Sequence, residues 1–305
     1  MAARFWRWLL AAELAAAAGI ACGIALLGHW SLAATLALTL AVFLLLQFLL
    51  VAASMVLGRV LTDGASRAAL AGRVCFTEGI RFMLEKMAMS MEPWLAQPAD
   101  PPPPRAGDER PVLLIHGVLC NRAIWRGLQR TLGAAGFAPM RALNLSPLLA
   151  DIDEYARQVA RELSVLRTEA RGARVAILAH SMGGLVARAA LSSADDAVSR
   201  IVTIGTPHHG SVLARYIPGA AARQMLPGSA WLERLNAASE RRPTPITSIY
   251  SADDNLVAPA GSAVLANAEL CAVQDVGHFG LLHSPRVLNC VLAALKRGTP
   301  AREAT

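Results

Sequence analysis

Two long apolar runs open the chain, a polar and proline-rich break follows, and behind the break short apolar runs alternate with amphipathic ones. The first run, Leu9 to Gly28, carries one charge, Glu13; the second, Leu32 to Leu57, carries none. As a helix, each is long enough to cross a hydrocarbon core of about 30 Å. Only His29, Trp30 and Ser31 separate them, which favours a transmembrane hairpin over residues 1–58 rather than two buried core helices. Over residues 59–92, Ile80, Met83, Leu84, Met87 and Met91 recur at three- and four-residue steps. That period predicts an amphipathic juxtamembrane helix, either lying on the bilayer or packed as a connector on the part that follows. Pro98 and the run Pro101 to Pro104 mark residues 93–110 as a polar, proline-stiffened linker with no means of forming a core of its own.

From Pro111 the period switches between strand and helix. Strands are predicted at 112–115, 138–145, 175–179, 198–204, 245–250 and 270–276, and helices at 124–132, 152–169, 182–191 and 281–295. Continuously apolar strands alternating with amphipathic helices imply an α/β domain, with a mostly parallel sheet covered on both faces. Residues 111–296 suffice for one such domain, leaving 297–305 as a tail. Apolar residues between 211 and 243, among them Leu213, Tyr216, Met225, Trp231 and Leu235, read either as a short cap over a pocket or as an ordinary helix on the sheet.

Charge orients this scheme. Among 305 residues the formal net charge is +7. Arg4 and Arg7 precede the first run, Arg59, Arg67, Arg73, Arg81 and Lys86 follow the second, and the turn between the runs has neither Lys nor Arg. Both ends of the hairpin are therefore expected on the cytoplasmic side of the cell (inner) membrane, with residues 111–296 in the cytoplasm. A cleaved signal peptide is the alternative for the first run. The basic residues suit anionic lipid headgroups, and no interleaved aromatics suggest nucleic-acid binding. Cys22, Cys75, Cys120, Cys271 and Cys290 are odd in number and widely spaced, so neither a disulfide framework nor a zinc site is expected, in keeping with a reducing compartment.

The densest chemistry lies at Ala179-His180-Ser181-Met182-Gly183-Gly184, between a predicted strand and a predicted helix. A serine on a sharp strand-to-helix turn needs small neighbours two residues away, and Ala179 and Gly183 supply them. Ligands of open parallel sheets bind beyond the carboxyl ends of the strands, where Ser181, Asp254 and His278 all stand. A serine hydroxyl is a weak nucleophile unless a base touches it. His278 is the expected base and Asp254 the residue that fixes its tautomer, with Asp253 and Asp275 as rivals for the acid. Expected oxyanion donors are the backbone N–H groups of Met182 and, in the loop after the first strand, Val118. His208 and His209 lack a carboxylate or cysteine at ligand spacing, so no metal is expected, and no organic cofactor either.

Together with His116-Gly117, the 202–211 string Val-Thr-Ile-Gly-Thr-Pro-His-His-Gly-Ser, the 250–257 string and the 276–282 string, the elbow resembles bacterial triacylglycerol lipases and esterases of the α/β-hydrolase fold. The resemblance covers roughly residues 111–295. It implies an α/β-hydrolase sheet, the triad Ser181, Asp254 and His278, and oxyanion donors Val118 and Met182. The hairpin departs from the secreted members of that family. The expectation is a membrane-anchored hydrolase of carboxylic, lipid-type esters. An acyltransferase or thioesterase with the same acyl-enzyme, or a non-catalytic scaffold on a hydrolase fold, remains open.

Overall fold

A computed structural model of the protein describes residues 1–63, 72–95, 107–239 and 244–297. Most of the expected linker, and nearly all of the tail, lie outside these residues. Three helices come first: α1 (Ala2–Gly28), α2 (Leu32–Asp63) and α3 (Gly72–Met91). The remainder alternates: β1 (Val112–Ile115), α4 (Arg126–Ala134), β2 (Met140–Ala142), α5 (Ile152–Glu169), β3 (Val175–His180), α6 (Met182–Ala194), β4 (Val198–Ile204), α7 (Ala220–Gln224), α8 (Ala230–Ser239), β5 (Ile246–Ser251), β6 (Glu269–Val273) and α9 (Pro285–Lys296).

The strands form one six-stranded sheet in the order β2-β1-β3-β4-β5-β6, and every pairing is parallel. Alternate side chains build two cores, as the two-residue period of a strand requires. Leu113, Ile115, Ile177 and Ile201 point to the side covered by α5 and α6. Val112, Leu114, Leu178 and Val202 point to the side covered by α4 and α9. Helix α5 starts where Asp151 accepts the Glu154 N–H at 2.7 Å, an N-cap that satisfies one of the four free donors of the first turn.

Three predicted elements come out shorter or broken. The edge strand expected at 138–145 keeps only Met140–Ala142, because Leu145 N–H donates to the His116 imidazole rather than to a neighbouring strand. The strand expected to reach Val276 stops at Val273, and Asp275 turns the chain with φ 61°. The closing helix is split, since Pro285 opens α9 and residues 280–283 form a separate short turn. The apolar 211–239 stretch packs partly into the α5–α6 core, where Ala214 is joined by Ala221, Met225 and Leu232 as buried side chains.

The cysteine expectation needs one correction. Cys271 on β6 and Cys290 on α9 are disulfide-bonded. One bond between adjacent elements is not a framework, but with it present cysteine usage does not argue for a reducing compartment.

The two long helices are not core helices of the sheet domain: large apolar side chains such as Leu26, Leu27, Leu32, Leu36 and Leu40 are exposed along them. Both are long and apolar enough to cross a membrane. Their other ends bundle with α3, which is buried on the sheet domain through Glu78, Glu85 and Met89 rather than lying free. Lys86 of α3, fully buried, donates to Glu13 of α1 at 2.7 Å and to Gln47 of α2 at 2.7 Å, so one polar cluster ties the three helices together. The Trp6 indole donates to the Leu119 carbonyl at 2.7 Å, and Asn121 donates to the Met89 carbonyl at 2.8 Å, seaming the bundle to the loop after β1.

Candidate active site

Ser181 sits between β3 and α6 with φ 57° and ψ −130°, a region a non-glycine residue occupies only when its surroundings impose it. The imposition is visible. Ser181 N–H donates to the Ile204 carbonyl of β4 at 2.9 Å, and its own carbonyl accepts the Thr206 hydroxyl at 2.9 Å. Any Cβ on Gly183 would strike the Ile115 and His116 carbonyls, and one on Gly184 would strike Thr206. Ala179 is fully buried beneath the turn. The small residues read from the sequence are thus required by contact with β1 and the loop after β4.

Of the three acids weighed from sequence, Asp254 is the one on the histidine. Its carboxylate meets His278 Nδ1 at 2.8 and 3.0 Å. The Leu256 and Val257 N–H groups donate to the same carboxylate at 2.8 and 2.9 Å and hold it in place. Asp253 instead accepts the Asp275 N–H at 2.9 Å and pairs with Arg59 of α2 at 3.7 Å. A Cβ on Gly205 would lie 3.1 Å from Asp254 Oδ2 and 3.3 Å from His278 Nδ1. Gly205 directly follows Ile204, the residue that holds Ser181 N–H, so the serine and the Asp–His pair flank one glycine. Among the described residues, no hydrogen bond closes the leg between the Ser181 hydroxyl and His278. Such legs often tighten only when substrate binds.

Burial pulls the His278 imidazole down, but the charge and hydrogen bond of Asp254, with a smaller contribution from Glu78, outweigh it and leave the group above its ordinary value. A general base must be neutral to accept a proton. Any turnover that uses His278 as its base is therefore expected to fall away as pH drops through a midpoint above the usual 6.5 of histidine, measured as kcat/KM against pH on a soluble ester.

Val118 lies against the α5–α6 core and Met182 opens α6. Among the described residues neither backbone N–H is engaged in a hydrogen bond. His116, buried and pulled down to about 4 by desolvation, spans the loop as a neutral ring: Nδ1 faces the Gly117 carbonyl at 2.8 Å and Nε2 accepts the Leu145 N–H at 3.0 Å. A Cβ on Gly117 would lie 2.7 Å from Ser181 Cβ, so this loop closes directly over the serine.

The other histidines have separate partners. His180 is buried beside His278, with ring centroids 4.6 Å apart, and its Nε2 approaches the His278 carbonyl at 3.3 Å; burial holds it well below its ordinary value. His208 lies between Thr203 and Arg188, both at 3.1 Å, and His209 meets Asn236. His283, expected inside the closing helix, stands in the preceding short turn and pairs with Glu85 of α3 at 2.6 Å.

Two residues at the site escaped the sequence reading. Asn255 accepts the His278 N–H at 3.0 Å and donates to Ser54 of α2 at 2.9 Å. Glu78 of α3 accepts the Phe279 and Gly280 N–H groups at 2.7 and 2.8 Å. A signal for Glu78 existed: it falls on the same helical stripe as Val74, Phe82, Glu85 and Met89, where an acid costs free energy unless paired.

Comparison with known proteins agrees with this fold. A family described as "PGAP1-like alpha/beta domain" matches residues 139–249. A triacylglycerol lipase of Pseudarthrobacter phenanthrenivorans is 30% identical over 120 residues, which is 37% of this chain and 37% of the lipase. The chain thus spans little more than a third of the length of that curated relative. A mature Bacillus licheniformis lipase, BlEst2, superposes with a TM-score of 0.57 at 19% identity, covering 65% of this chain and 96% of that one. Aspergillus fumigatus lipase B superposes with a TM-score of 0.56 at 23% identity, covering 67% and 56% respectively. By sheet topology and likeness together, the chain has the α/β-hydrolase fold and resembles lipases and esterases.

Proposed function

We propose that the protein is a membrane-anchored serine hydrolase that cleaves carboxylic esters bearing lipid acyl chains. The observation that carries this reading is the Asp254–His278 pair standing beside a serine in elbow geometry. His278 Nε2 takes the Ser181 proton as Oγ attacks the ester carbonyl. The carbonyl electron pair moves onto oxygen, where the Met182 and Val118 N–H groups receive it. Collapse expels the alcohol, protonated by His278, and leaves an acyl-serine. Water, deprotonated by the same imidazole, then attacks the acyl carbon and releases the acid. Asp254 keeps the proton on Nδ1 throughout and stabilises the imidazolium.

The lipid side of the proposal rests on α1 and α2. Beyond Glu13 and Gln47 each helix continues for about 15 residues, about 22 Å, with exposed leucines. In this reading the hairpin enters the bilayer, both its ends face the cytoplasm, and the polar cluster around Lys86 lies near one edge of the hydrocarbon. Orientation rests on the arginines alone. The anchor holds the site against its substrate.

The full chain in detergent micelles, treated with a fluorophosphonate and assayed on p-nitrophenyl esters of increasing length, tests the reading. Ser181→Ala should abolish labelling and lower kcat by about 10⁴-fold or more. Folded wild type that resists labelling, or a Ser181→Ala variant that keeps its turnover, would refute it.

A further inference from the structure

The turn carrying His278 is held in part from outside the sheet domain. Each of its three consecutive backbone N–H groups donates to a side chain. That of His278 goes to Asn255, and those of Phe279 and Gly280 go to the two carboxylate oxygens of Glu78. Glu78 belongs to α3, two hundred positions earlier in the chain, and is 1% exposed. A Cβ on Gly277 would lie 2.5 Å from Glu78 Cδ, so the turn has closed onto the carboxylate as far as a glycine allows. The Phe82 ring, one helical turn on, lies 5.3 Å from the Phe279 ring. Through Asn255, Ser54 of α2 reaches the same turn.

We infer that Glu78 is a positioning residue for His278, which makes the N-terminal helical bundle a working part of the catalytic centre and not only an anchor. The inference rests on the ester-hydrolase reading above. A side chain accepting two adjacent N–H groups fixes both the position and the tilt of the peptide planes that follow His278, and so the direction of its imidazole. An imidazole misplaced by about 1 Å loses on the order of a hundredfold in rate. Burial costs Glu78 its solvation and pushes its carboxyl up, against the pull of the two donors. It is therefore an expensive group to keep in place for packing alone. Its charge also acts on the imidazole together with Asp254 from the loop after β5, while His180 at the end of β3 faces the same ring as a neutral group. His283 and Glu85 pair two turns beyond Glu78 along α3.

The test uses the full chain in micelles. Glu78→Gln keeps the shape and one acceptor oxygen but turns an amide N–H₂ toward a backbone donor; Glu78→Ala removes both acceptors. Glu78→Gln should lower kcat by about ten- to a hundredfold with KM within about twofold, and slow fluorophosphonate labelling in proportion. With one negative charge gone, the acid limb of kcat/KM should move to lower pH. Wild-type kcat and labelling in Glu78→Gln would overturn the inference. So would a fall in kcat with the acid limb unmoved, because a merely structural role predicts that outcome. Glu78→Gln carries the test where Glu78→Ala fails to fold. Ser181→Ala is run beside it: retained labelling there would sink the hydrolase reading itself, whereas lost labelling with a normal Glu78→Gln would sink only this inference.

Discussion

Asp254→Asn should lower kcat on a short p-nitrophenyl ester by about 10⁴-fold while leaving the fold intact. Asparagine is nearly isosteric with aspartate, and its carbonyl can still accept the Leu256 and Val257 N–H groups that hold the side chain. What changes is the partner offered to His278 Nδ1. With the carbonyl committed to those donors, the amide N–H₂ faces the ring and drives the proton from Nδ1 to Nε2. An imidazole protonated on Nε2 cannot accept the serine proton. The charge that stabilises the imidazolium is lost as well. The remaining activity should therefore show its acid limb at lower pH than wild type, the opposite of the upward shift that Asp254 imposes. A loss of less than about tenfold, with an unmoved pH profile, would mean that Asp254 is not the acid.

Glu13→Ala should destabilise the protein by about 3–5 kcal/mol, because it strands the Lys86 ammonium in a fully buried position. Gln47 still offers one oxygen to that ammonium at 2.7 Å, but a neutral amide does not replace the carboxylate charge. Unfolding of the micelle-bound protein, followed by tryptophan fluorescence against denaturant, would read the loss. The double variant Glu13→Ala/Lys86→Met should recover most of it, since a well-packed apolar side chain often equals or betters a buried ion pair. No recovery in the double variant would show that Glu13 matters for something other than Lys86. The cluster is linked to the site through α3: loosening Lys86 moves the helix that carries Glu78, so Glu13→Ala should also slow turnover.

Helix α5 and strand β4 match their sequence-read bounds residue for residue, for local reasons. Asp151 caps α5, a stripe at four-, four- and three-residue steps from Tyr155 through Val159 and Leu163 to Leu166 faces the core, and the run 198–204 carries Val198, Ile201, Val202 and Ile204. The elbow was equally legible, because a strained turn tolerates few residue types and Ala179, Gly183 and Gly184 are among them. Local pattern misleads where a distant partner replaces a local one. His116 takes the Leu145 N–H and ends the edge strand early. Asp253 takes the Asp275 N–H just where β6 gives way to the turn before His278.

Periodicity, turn chemistry and motif order are properties of neighbouring residues, so the chain order alone was enough to reveal an α/β sheet, a serine elbow and two apolar helices at the start. The contact of Asp254 with His278 needed coordinates, as did the Cys271–Cys290 bond and the grip of α3 on the histidine turn. Each of these joins groups far apart in the chain. Whether a buried carboxylate such as Glu78 is a liability or a working part depends on which donors the folded chain brings to it, and no local pattern encodes that meeting.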